Sequence, residues 1–199
     1  MNKQTILALL VALGAYLCTV FQANSQNASK RWEIEVGGGI NFAQSNVADA
    51  DNKIGYSLYT EAKYLFPDSH FSVGLQLSQN SFQRKFYGSY QDMPFSLNGD
   101  FKSSNILFTG AYQRPLARNI DLILGLGVGI GVVSDSKYAG LYTWEYLTFV
   151  TSGGNAFTLV AQPKVGLSIH RHINLQLSYK LQEKINRMAL LTVGYAFRL

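Results

Sequence analysis

Four acids and four bases stand where the strand pattern described below points inward. They are Glu33, Glu35, Glu61 and Asp121 against Lys63, Lys164, Lys180 and Arg198. Buried charges must pair or carry a large desolvation cost. The balance of signs therefore predicts one paired network that fills an interior. Ser168, His170 and His172 are the residues whose types suggest catalysis. A hydroxyl beside an imidazole can be a nucleophile beside its base. On a strand, Ser168 and His170 share the inward face, next to a minimal turn at Arg171 and His172. The sequence places no acid to orient either histidine, so the expectation is turn or rim histidines. His170 and His172 do not converge as metal ligands without a sharp turn. Cys18 is the only cysteine, and it lies in a segment expected to be removed. That excludes disulfides, a thiolate nucleophile and cysteine metal sites in the mature chain. No catalytic, cofactor-binding or metal residue is assigned, and the expectation is a non-enzyme without a cofactor.

The elements that carry these groups are strands. Ile173, Leu175, Leu177, Tyr179 and Leu181 alternate with Asn174, Gln176, Ser178, Lys180 and Gln182. A period of two means a strand with different surroundings on its two faces. The same alternation predicts strands over 32–42, 54–66, 71–82, 103–114, 120–133, 157–169, 173–182 and 187–199. Runs of about nine to eleven residues span a bilayer when tilted, whereas soluble strands average about five or six. Tight connections at 67–69, 115–118 and 171–172 alternate with long ones at 43–53, 84–101 and 134–155. Pro163, inside a strand, predicts a local bulge. Gly125, Gly127, Gly129 and Gly131 face inward and are read as relief of crowding in a narrow, curved barrel. Tyr138 to Val150 is read as a hairpin above the membrane, two further barrel strands being the alternative.

The N-terminus reads as a signal peptide over residues 1–25, with Lys3, an apolar run from Ile6 to Val20 and Ala23-Asn24-Ser25 at the cleavage site. Residues 26–199 form one domain. The formal net charge is +5, but Lys30, Arg31, Arg114, Arg118, Arg171 and Arg198 lie at one predicted rim. They are expected to meet lipid headgroups there; no nucleic-acid motif is present. Aromatic residues are expected in girdles at both interfaces, with Phe42, Phe82 and Tyr179 on the long-loop side.

The last six residues, Gly194-Tyr195-Ala196-Phe197-Arg198-Leu199, resemble the insertion signal of outer-membrane barrels. Gly194, Phe197 and Leu199 hold its key positions, with Leu199 where Phe is usual. The whole mature chain resembles the bacterial outer-membrane β-barrel domain family (porin-like, OmpA/OmpX-type small barrels). The resemblance implies an all-β, eight-stranded antiparallel up-and-down transmembrane barrel. It implies the outer membrane of a Gram-negative bacterium, with both termini periplasmic. It also implies lipopolysaccharide outside, phospholipid inside and barrel-assembly machinery as the insertion partner. Lipid A deacylases of this barrel class use Ser and His on the lipid-facing side, unlike Ser168 and His170.

The family spans adhesins, pores, anchors and a few lipid-modifying enzymes. The expectation here is a non-enzymatic barrel whose loops meet an unknown surface partner. Phe86, Tyr87, Tyr90 and Phe95 in one loop, and Tyr138, Tyr142, Trp144 and Tyr146 in the next, are the candidate contacts. The alternatives are a narrow channel for ions or small solutes and a lipid-modifying enzyme.

Overall fold

Alternating apolar and polar side chains fold here into strands whose polar face is the buried one. The computed structural model describes residues 31–44, 50–52, 54–67, 69–90, 93–142, 147–182 and 187–199. The signal peptide, its cleavage site, Cys18, Lys30, Trp144 and Tyr146 lie outside the described residues. The strands are β1 (Trp32–Gln44), β2 (Ala50–Asn52), β3 (Ile54–Leu65), β4 (Phe71–Tyr90) and β5 (Met93–Ala117). They continue with β6 (Ile120–Tyr142), β7 (Leu147–Ile169), β8 (Ile173–Gln182) and β9 (Arg187–Arg198).

Each barrel strand pairs antiparallel with the next, and β1 pairs with β9. That last ladder closes an eight-stranded barrel, with β2 as a short flank on β4. Closure removes the edge strands that an open sheet would present. The belt of Val36, Leu58, Leu75, Phe108, Leu126, Leu177 and Val193 is exposed. Glu35, Asn41, Glu61, Asn80, Asn105, Asn174 and Lys180 are buried. This inverts the ordinary distribution of apolar and charged residues.

The strands match the predicted spans at the apolar belt and depart from them mainly above it; at the other end β5 runs on to Ala117 through an irregularity at Pro115, where a turn over 115–118 was expected. β4 to β7 run 20, 25, 23 and 23 residues, far beyond what a bilayer requires. The predicted loop at 84–101 is mostly ladder: Arg84↔Gly99 and Phe86↔Leu97 continue the register set by Leu77↔Ile106. Once that register is fixed, each further pair closes only a short loop, and the aromatic-rich sequence suits strands. In the Tyr138–Val150 segment, Ala139 to Tyr142 pairs with Leu147 to Val150, and these residues add no strand to the barrel.

Three local expectations are corrected. Pro163 makes no bulge. The β7–β8 ladder keeps one register from Ala161↔Leu181 to Lys164↔Ser178 and omits the pairs between. A proline removes a ladder donor without adding a residue, so a gap results. His170 does not face the lumen. It is exposed in the turn with φ 52°, followed by Arg171 at 60°, and His172 N–H donates to Ile169 O at 3.1 Å. The turn is therefore centred on His170 and Arg171, whose left-handed backbones match the twist of a hairpin. Phe82 belongs to no outer girdle. It is 2% exposed and stacks inside the barrel on Phe101, with ring centroids 5.2 Å apart.

Candidate functional site: the closed lumen

The strands turn one charged ladder inward at the short-turn end. Arg198 Nε donates to Glu33 Oε2 at 2.9 Å. Lys63 Nζ reaches Glu33 Oε1 at 3.1 Å and also bonds Glu35 Oε2. Lys164 Nζ holds both oxygens of Glu61 at 3.0 and 2.8 Å, and Thr109 Oγ1 adds a bond at 2.6 Å. Lys63 lies 3.9 Å from Glu61 and so joins the two groups. Charge-assisted bonds of this kind are roughly twice as strong as neutral ones.

Glu35 is fully buried and is the most heavily bonded carboxylate here. Tyr59 OH and Gln176 Nε2 donate to Oε1, the latter at 2.8 Å. Asn174 Nδ2 donates to Oε2 at 2.8 Å, beside the Lys63 ammonium. The Tyr59 ring reaches Glu35 across two paired glycines, Gly37 and Gly194. A Cβ on Gly37 would lie 2.5 Å from Tyr59 Cε1, and one on Gly194 would run into the Tyr59 hydroxyl. Glycine here permits a close approach of ring to backbone. The sequence pattern singled out the glycines of the sixth strand and missed this pair. Tyr59 on an inward position opposite Gly37 was the available signal.

The glycines of β6 are filled in the same manner. The Lys164 stem lies over Gly125, Leu107 over Gly127, and Asn105 over Gly131. No solute space is left at these positions.

Two of the predicted charges stand apart from this network. Asp121 is buried near the turn end, where Gln113 Nε2 donates to it at 3.0 Å and Arg171 Nε stands 3.8 Å away. Lys180 is fully buried higher up, and its described contact is Ser78 Oγ at 3.3 Å. Strand parity placed Lys180 inward correctly. It could not say at which height an acid would be, and the acids all cluster below. Around Lys180 the walls are amides and hydroxyls, including Gln76, Gln162, Gln176 and Thr192, about a cavity of roughly 10 Å³. That is space for about one water.

Above this layer, Ser103, Asn105, Thr158 and Gln182 exchange hydrogen bonds of 2.8 to 3.3 Å. Phe82, Phe101, Val133, Met188 and Leu190 then cap the lumen with apolar side chains. This cap was absent from the sequence reading. Phe82 lies an even number of residues from the inward Gln76 and Ser78, so parity alone would have found it.

Ser168 is buried and His170 is not, so the two are not brought together. His172 Nδ1 lies 3.0 Å from Ala196 O and its ring stacks on Tyr195. The outward rings do form a girdle at the turn end: Trp32–Tyr64, Tyr64–Phe66, Phe71–Tyr112 and Tyr195–Phe197 pack with centroids 4.8 to 5.4 Å apart. Phe86, Tyr87, Tyr90 and Phe95 fall in the β4–β5 hairpin; Tyr138 and Tyr142 fall in the β6–β7 hairpin. Gly194 and Phe197 lie on β9, and Leu199 N–H donates to Trp32 O at 2.8 Å.

The structure is a closed eight-stranded barrel turned inside out.

No family model matches the sequence, and no curated protein matches it. Solved structures give likenesses at low identity. The Ail attachment invasion locus protein of Yersinia pestis is 17% identical, with 84% of this chain and 98% of that chain covered and a TM-score of 0.47. Neisserial surface protein A is 14% identical over 87% of this chain and 100% of that chain, at 0.40. The N-terminal β-barrel domain of Pseudomonas aeruginosa OprF is 14% identical over 86% and 100%, at 0.40.

Proposed function

We propose that the chain is a non-enzymatic outer-membrane barrel, closed to flow, that presents its tall β4–β7 wall to a partner outside the cell. The observation that carries the membrane reading is the apolar belt around a polar, fully packed interior. In water such a belt would be a large exposed patch. In lipid it is the solvated face, and the closed ladder pairs the spanning backbone apart from the gap at Pro163. Short turns on the periplasmic side and long hairpins outside follow the usual arrangement of such barrels. Both termini are then periplasmic. The lipid neighbours are lipopolysaccharide on the hairpin side and phospholipid on the turn side. Gly194, Phe197 and Leu199 would be read by the barrel-assembly machinery during insertion.

A channel reading draws on the polar lumen. The ion pairs, the amide layer and the aromatic cap oppose it, because each fills the cross-section that ions would need.

The partner reading draws on height. β8 stops at Gln182, opposite Val160, and β1 stops at Gln44. β4 to β7 continue well past that level. β7 continues past β8 through Leu159 and Phe157, which are strongly exposed. The test shortens both hairpins to tight turns near residues 84–99 and 135–154. Cross-linked outer membranes are then compared for captured proteins. The full chain should capture a partner that the shortened barrel loses, while both keep heat-modifiable migration. Identical capture by the two would sink the partner reading.

A further inference from the structure

A cavity of about 220 Å³ opens at the short-turn mouth of the lumen, below the packed charges. Arg171 reaches it from the β7–β8 turn, Arg198 from the end of β9 and Asp121 from the start of β6. Leu65 and Phe71 give it an apolar side. Phe71 is exposed in the outer belt, so the cavity lies at the belt's margin.

The charges are of both signs and only partly spent on one another. The Arg171 side chain is 67% exposed, and its 3.8 Å approach to Asp121 is too long for a hydrogen bond. Arg198 lines the cavity and bonds Glu33 through Nε, a bond that does not use its two terminal nitrogens. Guanidinium forks suit phosphate oxygens, offering two parallel donors. Asp121 Oδ2 accepts from Gln113, and an ionised carboxylate has about four lone-pair sites. It can therefore also accept an ammonium. A lone phosphate would meet the carboxylate, and a lone amine would meet two arginines. A small group carrying both charges suits all three.

We propose that this cavity binds a phosphoethanolamine headgroup, phosphate toward Arg171 and Arg198 and ammonium toward Asp121. The chains of the lipid would run past Phe71 onto the belt. The volume is below the roughly 300–1,000 Å³ of drug-sized sites, as a headgroup requires. The assignment rests on the membrane reading of the belt. The same chemistry could arrive as soluble phosphoethanolamine, and the experiment separates the two sources.

The mature protein in non-ionic detergent is titrated with short-chain phosphatidylethanolamine, phosphatidylglycerol or free phosphoethanolamine. Retained ligand is read by native mass spectrometry. Phosphatidylethanolamine should be retained severalfold over phosphatidylglycerol. Asp121→Asn should remove that preference. Arg171→Gln, a change in an exposed turn, should lower retention of both lipids about tenfold, the scale of one charge-assisted contact. Arg198→Gln should act in the same direction, with heat-modifiable migration reporting whether the barrel stays assembled. Equal retention of the two lipids by the unmutated protein, or an Arg171→Gln variant that retains as well as the parent, would overturn the site. Free phosphoethanolamine that competes as well as the lipid would overturn the lipid source; weak competition supports it. Failure of the unmutated protein to enter lipid vesicles is a separate result and strikes the belt reading instead.

Discussion

Glu35 shows how a buried carboxylate is stabilised here: two amides, a phenol and an ammonium all donate to it. Removing the acid leaves those donors facing each other without an acceptor. Glu35→Ala should cost about 3–5 kcal/mol, the range for breaking a buried pair by deleting one partner. Glu33→Ala should cost clearly less, since Arg198 lies at the partly exposed rim, with a side chain 21% exposed, and Lys63 keeps its bond to Glu35. Reversible urea unfolding from lipid vesicles measures both, and equal losses would contradict the keystone role of Glu35. The glycine pair gives a second residue-scale test. Gly194→Ala should cost about 1–3 kcal/mol through overpacking against Tyr59. The cost should shrink in a Tyr59→Leu background, because the two sites share one contact. An unchanged cost in that background would remove Tyr59 as the cause.

At the scale of strands, Pro163 leaves a gap in the β7–β8 ladder without moving the register. Pro163→Val restores a donor on an exposed, outward position and suits a strand. It should stabilise the barrel by about 0.5–1.5 kcal/mol, one net hydrogen bond. A destabilised variant would mean that the gap is needed for packing. The same strands show what a sequence reveals and what it hides. Alternation is clearest where an exposed apolar face backs a buried polar one. There Leu177 and Gln176, or Leu75 and Gln76, announce their faces, and the predicted spans hold. Beyond the belt, Arg84 to Pro94 carries no clean alternation and looks like a loop, which hid the alternating run from Phe95 to Phe101 that follows it. Pairing nevertheless continues, because register is inherited from the spanning part. The candidate site was legible to the same depth. Inward charges followed from parity. Their heights along the axis did not, which is why Lys180 was counted among the balanced charges, although its described bond is to a hydroxyl.

At the scale of the whole barrel, closure and packing make two joint demands. A barrel without edges should stay folded in detergent until boiled, and migrate differently before and after heating. Coincident bands from well-extracted protein would contradict closure. The packed lumen should give little or no steady conductance in planar bilayers. Glu61→Ala, which strands Lys164 without its carboxylate, should raise conductance or flicker while migration stays heat-modifiable. Phe82→Ala should add to that by thinning the cap. A large, stable, ion-selective current from the unmutated protein would instead favour the channel.

The donors to Glu35 come from two ends of the chain. Tyr59 and Lys63 lie on β3, next to β1; Asn174 and Gln176 lie on β8, which reaches β1 only through β9. The carboxylate is thus a clasp across the joint where the first and last strands meet. A half-closed barrel holds Glu35 with only the β3 half of its partners, and the other half arrives with β8 and β9 together. Joining the ends and completing the interior are then one event. An assembling chain has little reason to linger nearly shut: before the clasp forms the acid favours a wet, open joint, and afterwards the same acid resists every reopening.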